Sequence, residues 1–379
     1  MRIRILSVLL NAMGIVFVAF GVNLPQIIIK VSKGIDLQVP RALHTATRLS
    51  DGKILLVGGS RASDAFLAEV EIFNPITGLT PQAASLHTPR HGHTATLLPD
   101  GRELVVGGYT LPQQWLADAE VYDPSSDTWR VIPPLFSHGV NHTATLMKDG
   151  RVLIVGGCIG DGICTNRVEI FDPQTNAWLE AKAIEGDRAS QTAQLLEDGR
   201  VLVAGGGGET GAPVGGDALL YDPQTNTWTA TGSMVNPRSS AQSVLLPDGR
   251  VLVAGGMPLK NARNLKMTNS AEIYDPALNK WKSVGSLSQP RYAFGLMLLP
   301  NGKVLAIGGS HDHENNWRAG SFIHRIECFD TKTNRWKIVG TLTKPMAYAS
   351  VVSLSDGRIW VAGGRDNVKS SSATWLIAP

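Results

Sequence analysis

The sequence predicts an all-β fold, a seven-bladed β-propeller whose seventh blade is closed by a strand from the N-terminal side of the chain. Three observations predict it. A Gly-Gly pair ends an apolar strand seven times, at Gly58-Gly59, Gly107-Gly108, Gly156-Gly157, Gly205-Gly206, Gly255-Gly256, Gly308-Gly309 and Gly363-Gly364, in steps of 49 to 55 residues. A fixed period of this length marks stacked supersecondary units. Each of those strands is preceded by a turn pair, running from Asp51-Gly52 through Asn301-Gly302 to Asp356-Gly357. Asp-Gly or Asn-Gly between apolar runs is a hairpin signal, and a two-residue type I′ turn is expected. Third, the chain ends are complementary, as described below.

Within a unit the elements follow in a fixed order. Strand A is small and polar (Thr45-Ala46-Thr47, Thr94-Ala95-Thr96, Thr143-Ala144-Thr145), which suits the crowded centre of a ring. Strand B is the apolar run before Gly-Gly, such as Val201-Leu202-Val203-Ala204. Strand C ends in an aromatic residue and Asp or Asn, as in Tyr122-Asp123 and Phe171-Asp172. Strand D carries Trp129, Trp178, Trp228, Trp281 or Trp336, always 7 residues after that aromatic and 27 before the next Gly-Gly. Counting 27 back from Gly58 reaches Val31, while the seventh unit stops after its strand C, Thr374 to Ile377. Residues 26–32 therefore have the offset of the missing outer strand, and the propeller is expected to span 26–379. Such a closure removes a sheet edge.

Composition bounds the function classes. Of 379 residues 43% are hydrophobic but only 6% aromatic, so the core must come from Val, Leu, Ile and Ala. The net charge of +3 is spread without a basic run, which speaks against a nucleic-acid partner. The exception in texture is residues 1–22, where Arg2 and Arg4 precede an apolar run from Ile5 to Val22. That pattern fits a cleaved secretory signal or an uncleaved signal-anchor, with a buried core segment as the other reading. The expected location is secreted, periplasmic or membrane-anchored facing outward, with the membrane met only through this segment. Cys158 and Cys164 lie six apart in one loop and are a disulfide candidate in an oxidising compartment; two free thiols are the alternative. Cys328 falls in a strand and reads as a small buried hydrophobe.

All length variation falls between strands B and C, so one face carries every insertion; that is usually the working face of a repeat array. The starts of strand A share this face. Seventeen residues before each Gly-Gly stand Arg41, Arg90, Gly139, Arg188, Arg238, Arg291 and Met346, and three residues later stand His44, His93, His142, Gln191, Ala241, Phe294 and Ala349. Converging guanidiniums would make an anion-binding mouth, because their forked donors suit carboxylate or phosphate. The competing reading is structural, with Arg bonded to loop carbonyls between blades and His a repeated hydrogen-bonder. In the loops, His311 and His313 could ligate a metal or form a solvated tip. Tyr109, Trp115 and Trp317 could stack on a sugar or a partner side chain, or pack onto the rim.

Gly-Gly, then Tyr or Phe, then Trp at this spacing resembles the kelch repeat, within the galactose oxidase central domain-like superfamily. The resemblance implies radially packed blades with strand A innermost. It also implies a recognition surface at the A-strand starts, since kelch propellers that bind acidic peptides place Arg there. We therefore expect an extracytoplasmic binding or scaffold protein for a protein or carbohydrate ligand, acidic on the anion-mouth reading, monomeric and without a cofactor. The alternative implied is a carbohydrate-active enzyme. A galactose-oxidase-like copper site needs two Tyr and two His, for which Tyr109, Tyr292 and Tyr348 with Cys158, His311 and His313 are the candidates. A sialic-acid mutarotase-like site would use the Arg-rich mouth, with Glu209 in the blade 4 loop. No nucleophile elbow, phosphate loop or His-Glu-x-x-His is present.

Overall fold

The computed structural model describes residues 29–62, 65–112, 114–133, 139–160, 163–207, 218–258, 267–312, 321–366 and 369–379. The N-terminal segment 1–22 predicted above lies outside them, as do Glu209, His313, Trp317 and most of the two longest B–C loops.

Seven four-stranded antiparallel sheets are present. In blade 1 strands A to D are Thr45–Arg48, Ile54–Val57, Val70–Phe73 and Gln82–Ala83. In blade 2 they are Thr94–Leu97, Glu103–Val106, Ala119–Asp123 and Thr128–Ile132, and blades 3 to 6 repeat the order. Blade 7 takes Ser350–Ser353, Ile359–Ala362 and Thr374–Ala378 from the end of the chain and its outer strand, Lys30–Lys33, from the beginning. Val31 pairs with Ile377, the register that the 27-residue offset requires. Each strand A contacts the strand A of both neighbouring blades, and the last contacts the first, so the ring is closed around strand A.

The B strands are buried at all four positions because each is covered on both faces by neighbouring blades. The core is accordingly divided into seams. One holds Leu55, Val57 and Val70 of blade 1 against Val105, Tyr122 and Trp129 of blade 2, and comparable clusters fill the other seams. Burial of this kind stabilises at about 25 cal/mol per Å² of apolar surface.

The A–B turns differ from expectation. Only the glycine has positive φ (85° at Gly52), and its N–H donates to the carbonyl three residues back, Gly52 to Leu49 at 3.0 Å. These are three-residue loops, a turn followed by a left-handed glycine, rather than type I′ pairs. The Asp meanwhile uses its side chain, Asp51 Oδ1 accepting from the Lys53 N–H at 3.0 Å.

The Gly-Gly pair is required twice over. Gly58 and Gly59 have φ of 59° and 98°, and a Cβ on them would stand 2.5 Å from the Arg90 carbonyl and 2.6 Å from the Ala42 carbonyl. The Trp of strand D packs on the aromatic of strand C (Tyr122 to Trp129, 4.9 Å). In blades 2 to 4 its indole N–H reaches back to the previous blade, Trp129 to Ala84 O at 2.8 Å, Trp178 to Pro133 O at 3.2 Å and Trp228 to Lys182 O at 2.7 Å, whereas Trp281 and Trp336 make no such bond. Blade 1 departs from this pattern, with Thr80 in the Trp position.

Candidate functional site

The chain enters every strand A in the same way. The residue after the Arg position bridges to the first residue of the B–C loop, as in Ala42 to Ser60, His91 to Tyr109 and Val140 to Cys158. The next residue is left-handed in all seven blades: Leu43, Gly92, Asn141, Ser190, Ser240, Ala293 and Tyr348, with φ between 50° and 64°. At five of the seven joints its N–H donates to the carbonyl of its counterpart one blade earlier, Gly92 to Leu43 at 3.2 Å, Ser190 to Asn141 at 2.8 Å, Ser240 to Ser190 at 2.8 Å, Tyr348 to Ala293 at 3.0 Å and Leu43 to Tyr348 at 3.4 Å. These main-chain bonds form a hoop around the axis that is interrupted at Asn141 and Ala293. Holding non-glycine residues in this region costs of order 1 kcal/mol each, and the hoop bonds offset it.

The arginines do not reach the mouth. Arg41, Arg90, Arg188, Arg238 and Arg291 are buried to within 1%. Arg41 donates to Glu71 (2.8 Å), Arg90 to Glu120 (2.8 Å), Arg238 to Glu272 (2.7 Å) and Arg291 to Glu327, all inside the blades. A second guanidinium nitrogen holds the first carbonyl of the Gly-Gly pair, Arg41 to Gly58 O at 3.0 Å and Arg238 to Gly255 O at 3.1 Å. The Glu in turn accepts from the main chain entering the blade, Glu71 from the Gln38 and Val39 N–H groups at 2.9 and 3.1 Å. Burial lowers the Arg41 and Arg238 pKa values and brings Arg291 down to about 10, against the opposing pull of each Glu. The structural reading of the Arg series therefore holds. The anion-binding mouth is corrected, because all five guanidiniums are sealed from solvent and Arg41, Arg90, Arg238 and Arg291 are each already paired with a carboxylate.

The imidazoles are likewise in the seams. His93 Nε2 lies 2.9 Å from Thr45 Oγ1 and His142 Nε2 lies 2.8 Å from Thr94 Oγ1, each joining strand A to the preceding blade. Gln191 does the same work through Val155 O at 2.7 Å. His44 sits at the blade 7 seam with neither ring nitrogen hydrogen-bonded, and burial and Arg41 take it down to about 3. All three rings are 5–7% exposed.

Of the aromatic loop candidates, Tyr109 and Trp115 are among the described residues, and the structure adds two partners. Tyr109–Thr110 and Gln114–Trp115 form a two-stranded ribbon in which Tyr109 faces Trp115, ring centroids 5.2 Å apart. Phe66 of the blade 1 loop joins at 5.7 Å from Tyr109, and His91 lies 4.4 Å from Phe66 and 5.7 Å from Tyr109. Burial holds the His91 pKa at about 4, so the row Phe66, His91, Tyr109, Trp115 is uncharged at neutral pH. These rings are partly exposed, and Leu111 (44%), Ile159 (40%) and Ile163 (59%) extend the apolar surface to blade 3. Gly139 is explained here: a Cβ would meet Cys158 O at 2.1 Å and Trp115 Cδ1 at 2.8 Å, which leaves no room for the Arg of other blades.

Cys158 and Cys164 are joined by a disulfide across the blade 3 loop ribbon, and Cys328 is buried and unpaired. His311 is exposed. Tyr292 and Tyr348 meet through their hydroxyls at 3.2 Å. Among the described residues no copper site of two Tyr and two His is assembled around them, and His313 lies outside those residues. The strand A imidazoles are in the seams, Cys158 is bonded to Cys164, and no group of three His, Cys, Asp or Glu among the described residues is placed to hold a metal.

The sequence matches the KLHDC2/KLHL20/DRC7 Kelch-repeats domain over residues 43–256 and 135–309, and the Kelch motif over 297–343. The chain belongs to the kelch-repeat family. Beta-scruin of Limulus polyphemus is 31% identical over 96 residues, 25% of this chain and 10% of that protein. Human Kelch-like protein 28 is 32% identical over 102 residues, 26% of this chain and 17% of that protein. The kelch chain thus matches under a fifth of the length of these relatives. Among solved structures, a fungal alcohol oxidase of the AA5 family in complex with copper superposes with a TM-score of 0.73 at 18% identity, covering 92% of this chain and 76% of that one. YjhT superposes at 0.62 and 16% identity, covering 80% and 99%. At these identities the likeness is one of fold.

Proposed function

We propose that this kelch propeller is a non-catalytic binding module outside the cytoplasm, taking a protein or carbohydrate ligand on the face that carries the B–C loops. The observation that carries the reading is the row Phe66, His91, Tyr109 and Trp115, which crosses a blade boundary on that face and stays partly exposed. Aromatic rings with a polar edge bury large area at low entropic cost in both sugar and protein recognition. The bonded pair Cys158–Cys164 and the segment 1–22 support an oxidising, extracytoplasmic location. The ring is closed within one chain, Lys30–Lys33 pairing with Thr374–Ala378, which supports a monomer. An acidic ligand gains no support from the buried arginines.

The test is a glycan array and a displayed peptide library, screened with the full chain and with Tyr109→Ser and Trp115→Ala variants of native circular dichroism. The reading expects at least one ligand whose affinity falls about tenfold or more in a variant. It fails if every ligand found binds the variants equally. For location, alkylation of unreduced protein from its native cells must leave Cys158 and Cys164 unlabelled; labelling of both sinks the extracytoplasmic part.

A further inference from the structure

Six of the seven A–B turns are built on a carboxylate that holds the cation two residues on. In blade 1 Asp51 Oδ1 accepts from the Lys53 N–H, and Oδ2 pairs with Lys53 Nζ at 2.8 Å. Asp100, Asp149, Asp198, Asp248 and Asp356 each hold an arginine in the same way, at 2.6 Å. Blade 6 has Asn301 in this place. Its Oδ1 still accepts from the Lys303 N–H at 3.1 Å, but an amide nitrogen, which only donates, replaces the second oxygen. Lys303 Nζ lies instead 3.6 Å from Asp330 Oδ2.

Asn301 is exposed, and it is the one asparagine in the chain followed by glycine. Asparagine is a labile side chain, because the next main-chain nitrogen can attack its amide carbon. A Cβ on the following residue crowds that approach, and Gly302 has none. The bond from the Lys303 N–H folds the Asn301 side chain back over the Gly302 amide. One contact opposes the attack. The Gly302 N–H donates to Leu299 O at 2.9 Å, so the turn must open locally before this nitrogen is free to react.

We propose that Asn301 is a site of non-enzymatic deamidation, and that the turn accommodates the aspartate product as it accommodates Asp in the other six blades. The Gly302 nitrogen bonds to Asn301 Cγ, the Cγ–Nδ2 bond breaks, and the side-chain nitrogen leaves as ammonia with the Gly302 proton. Water then opens the succinimide ring, at Cγ to give aspartate or at the main-chain carbonyl of residue 301 to give isoaspartate. The sum is amide plus water to acid plus ammonia, with no oxidant or cofactor. Aspartate keeps the bonds of the turn and adds an acceptor beside Lys303, so blade 6 acquires the ion pair of its neighbours. Isoaspartate adds a carbon to the main chain inside a loop closed tightly by the Leu299 N–H on Lys303 O at 2.8 Å. Strand B separates this turn from the loop face, and the inference does not depend on the aromatic row.

The experiment incubates the full chain at mildly alkaline pH, folded and in urea, and follows the amide of every asparagine by peptide mapping and mass spectrometry. In the folded chain Asn301 is expected to lose its amide several-fold faster than any other asparagine, at a rate that rises with pH. Conversion is expected to be slower folded than in urea, because the Gly302 N–H is held. Asn301→Gln, whose longer side chain closes the ring poorly, is expected to abolish acid formation at the turn. Asn301→Asp is expected to match or exceed wild type in melting temperature, since Lys303 gains its carboxylate. An Asn301 amide that persists while other asparagines convert, or that persists with all the others, overturns the proposal. A melting temperature of Asn301→Asp clearly below wild type overturns the accommodation of the product.

Discussion

Glu103 opens strand B of blade 2, where the other blades carry Ile54, Val152, Val201, Val251, Val304 and Ile359. It is 0% exposed, and neither carboxyl oxygen makes a hydrogen bond of normal geometry. Burial pushes its pKa from 4.5 up to about 8, offset only in part by the Thr47 hydroxyl across the seam. The folded state therefore keeps a proton that the unfolded chain releases. This group's contribution to stability is fully present below the unfolded value of 4.5 and is lost as pH rises toward the folded value of about 8. At neutral pH some 2.5 units of that window have been crossed, or about 3 kcal/mol. Glu103→Gln removes the titration while keeping the shape. Urea denaturation of wild type and variant at about pH 5, about pH 6 and about pH 7 is expected to show the variant gaining roughly 1.4 kcal/mol per pH unit over wild type. A difference that is flat across this range refutes the argument. Glu103→Val, which matches the other blades, is expected to be more stable than Glu103→Gln at every pH, since no buried polar group is left unpaired.

Two other predictions concern the fold. Arg238→Met leaves Glu272 charged and buried and is expected to cost about 3–5 kcal/mol in urea denaturation. In a cycle with Glu272→Leu the double variant should lose at least about 2 kcal/mol less than the sum of the singles, and strict additivity would refute the pairing. Replacing Cys158 and Cys164 by Ser opens a loop of sequence separation 6 and is expected to lower stability by about 2 kcal/mol through chain entropy, with a matching loss when wild type is reduced.

The blades, the ring closure and the gathering of length variation on one face were legible because the repeat states them several times over. The Asp-Gly pairs identified the hairpins, but a dipeptide does not determine how many residues leave the ladder, and the loops proved to be three residues long. The fate of the arginines was also written in the chain, in a form that needs two positions read together. Arg41, Arg90, Arg238 and Arg291 each have a Glu two residues before the aromatic position of strand C, a place held by Trp375 in blade 7, which has Met346, and by Leu219 in blade 4, which has Arg188. Reading the Arg series alone suggested a ligand mouth; reading it with the Glu series gives a buried clamp. Tyr109 and Trp115 could be proposed from their loop, but Phe66 and His91 could not, because their contact crosses from one blade to the next. Thr80 was visible as a gap in the Trp series, though only packing shows that the position is covered, with Gln38 bonded to the Thr80 carbonyl.

The closure of blade 7 also sets an order of events in time. Blades 1 to 6 join strands close in sequence, so each can form soon after its residues leave the ribosome. Ser32 and Leu376, by contrast, lie 344 residues apart. As free chain, a loop of that size would cost about 5 kcal/mol of entropy to close, so closure is favoured only after the folded blades have brought the two ends together. Until residues 374–378 have been made, Lys30–Lys33 has no sheet to join, and afterwards the strand of Thr374–Ala378 presents an open edge until they meet. For the whole period of synthesis the nascent ring is therefore an arc with two sticky ends, and its exposure to mispairing with another copy is greatest just before completion.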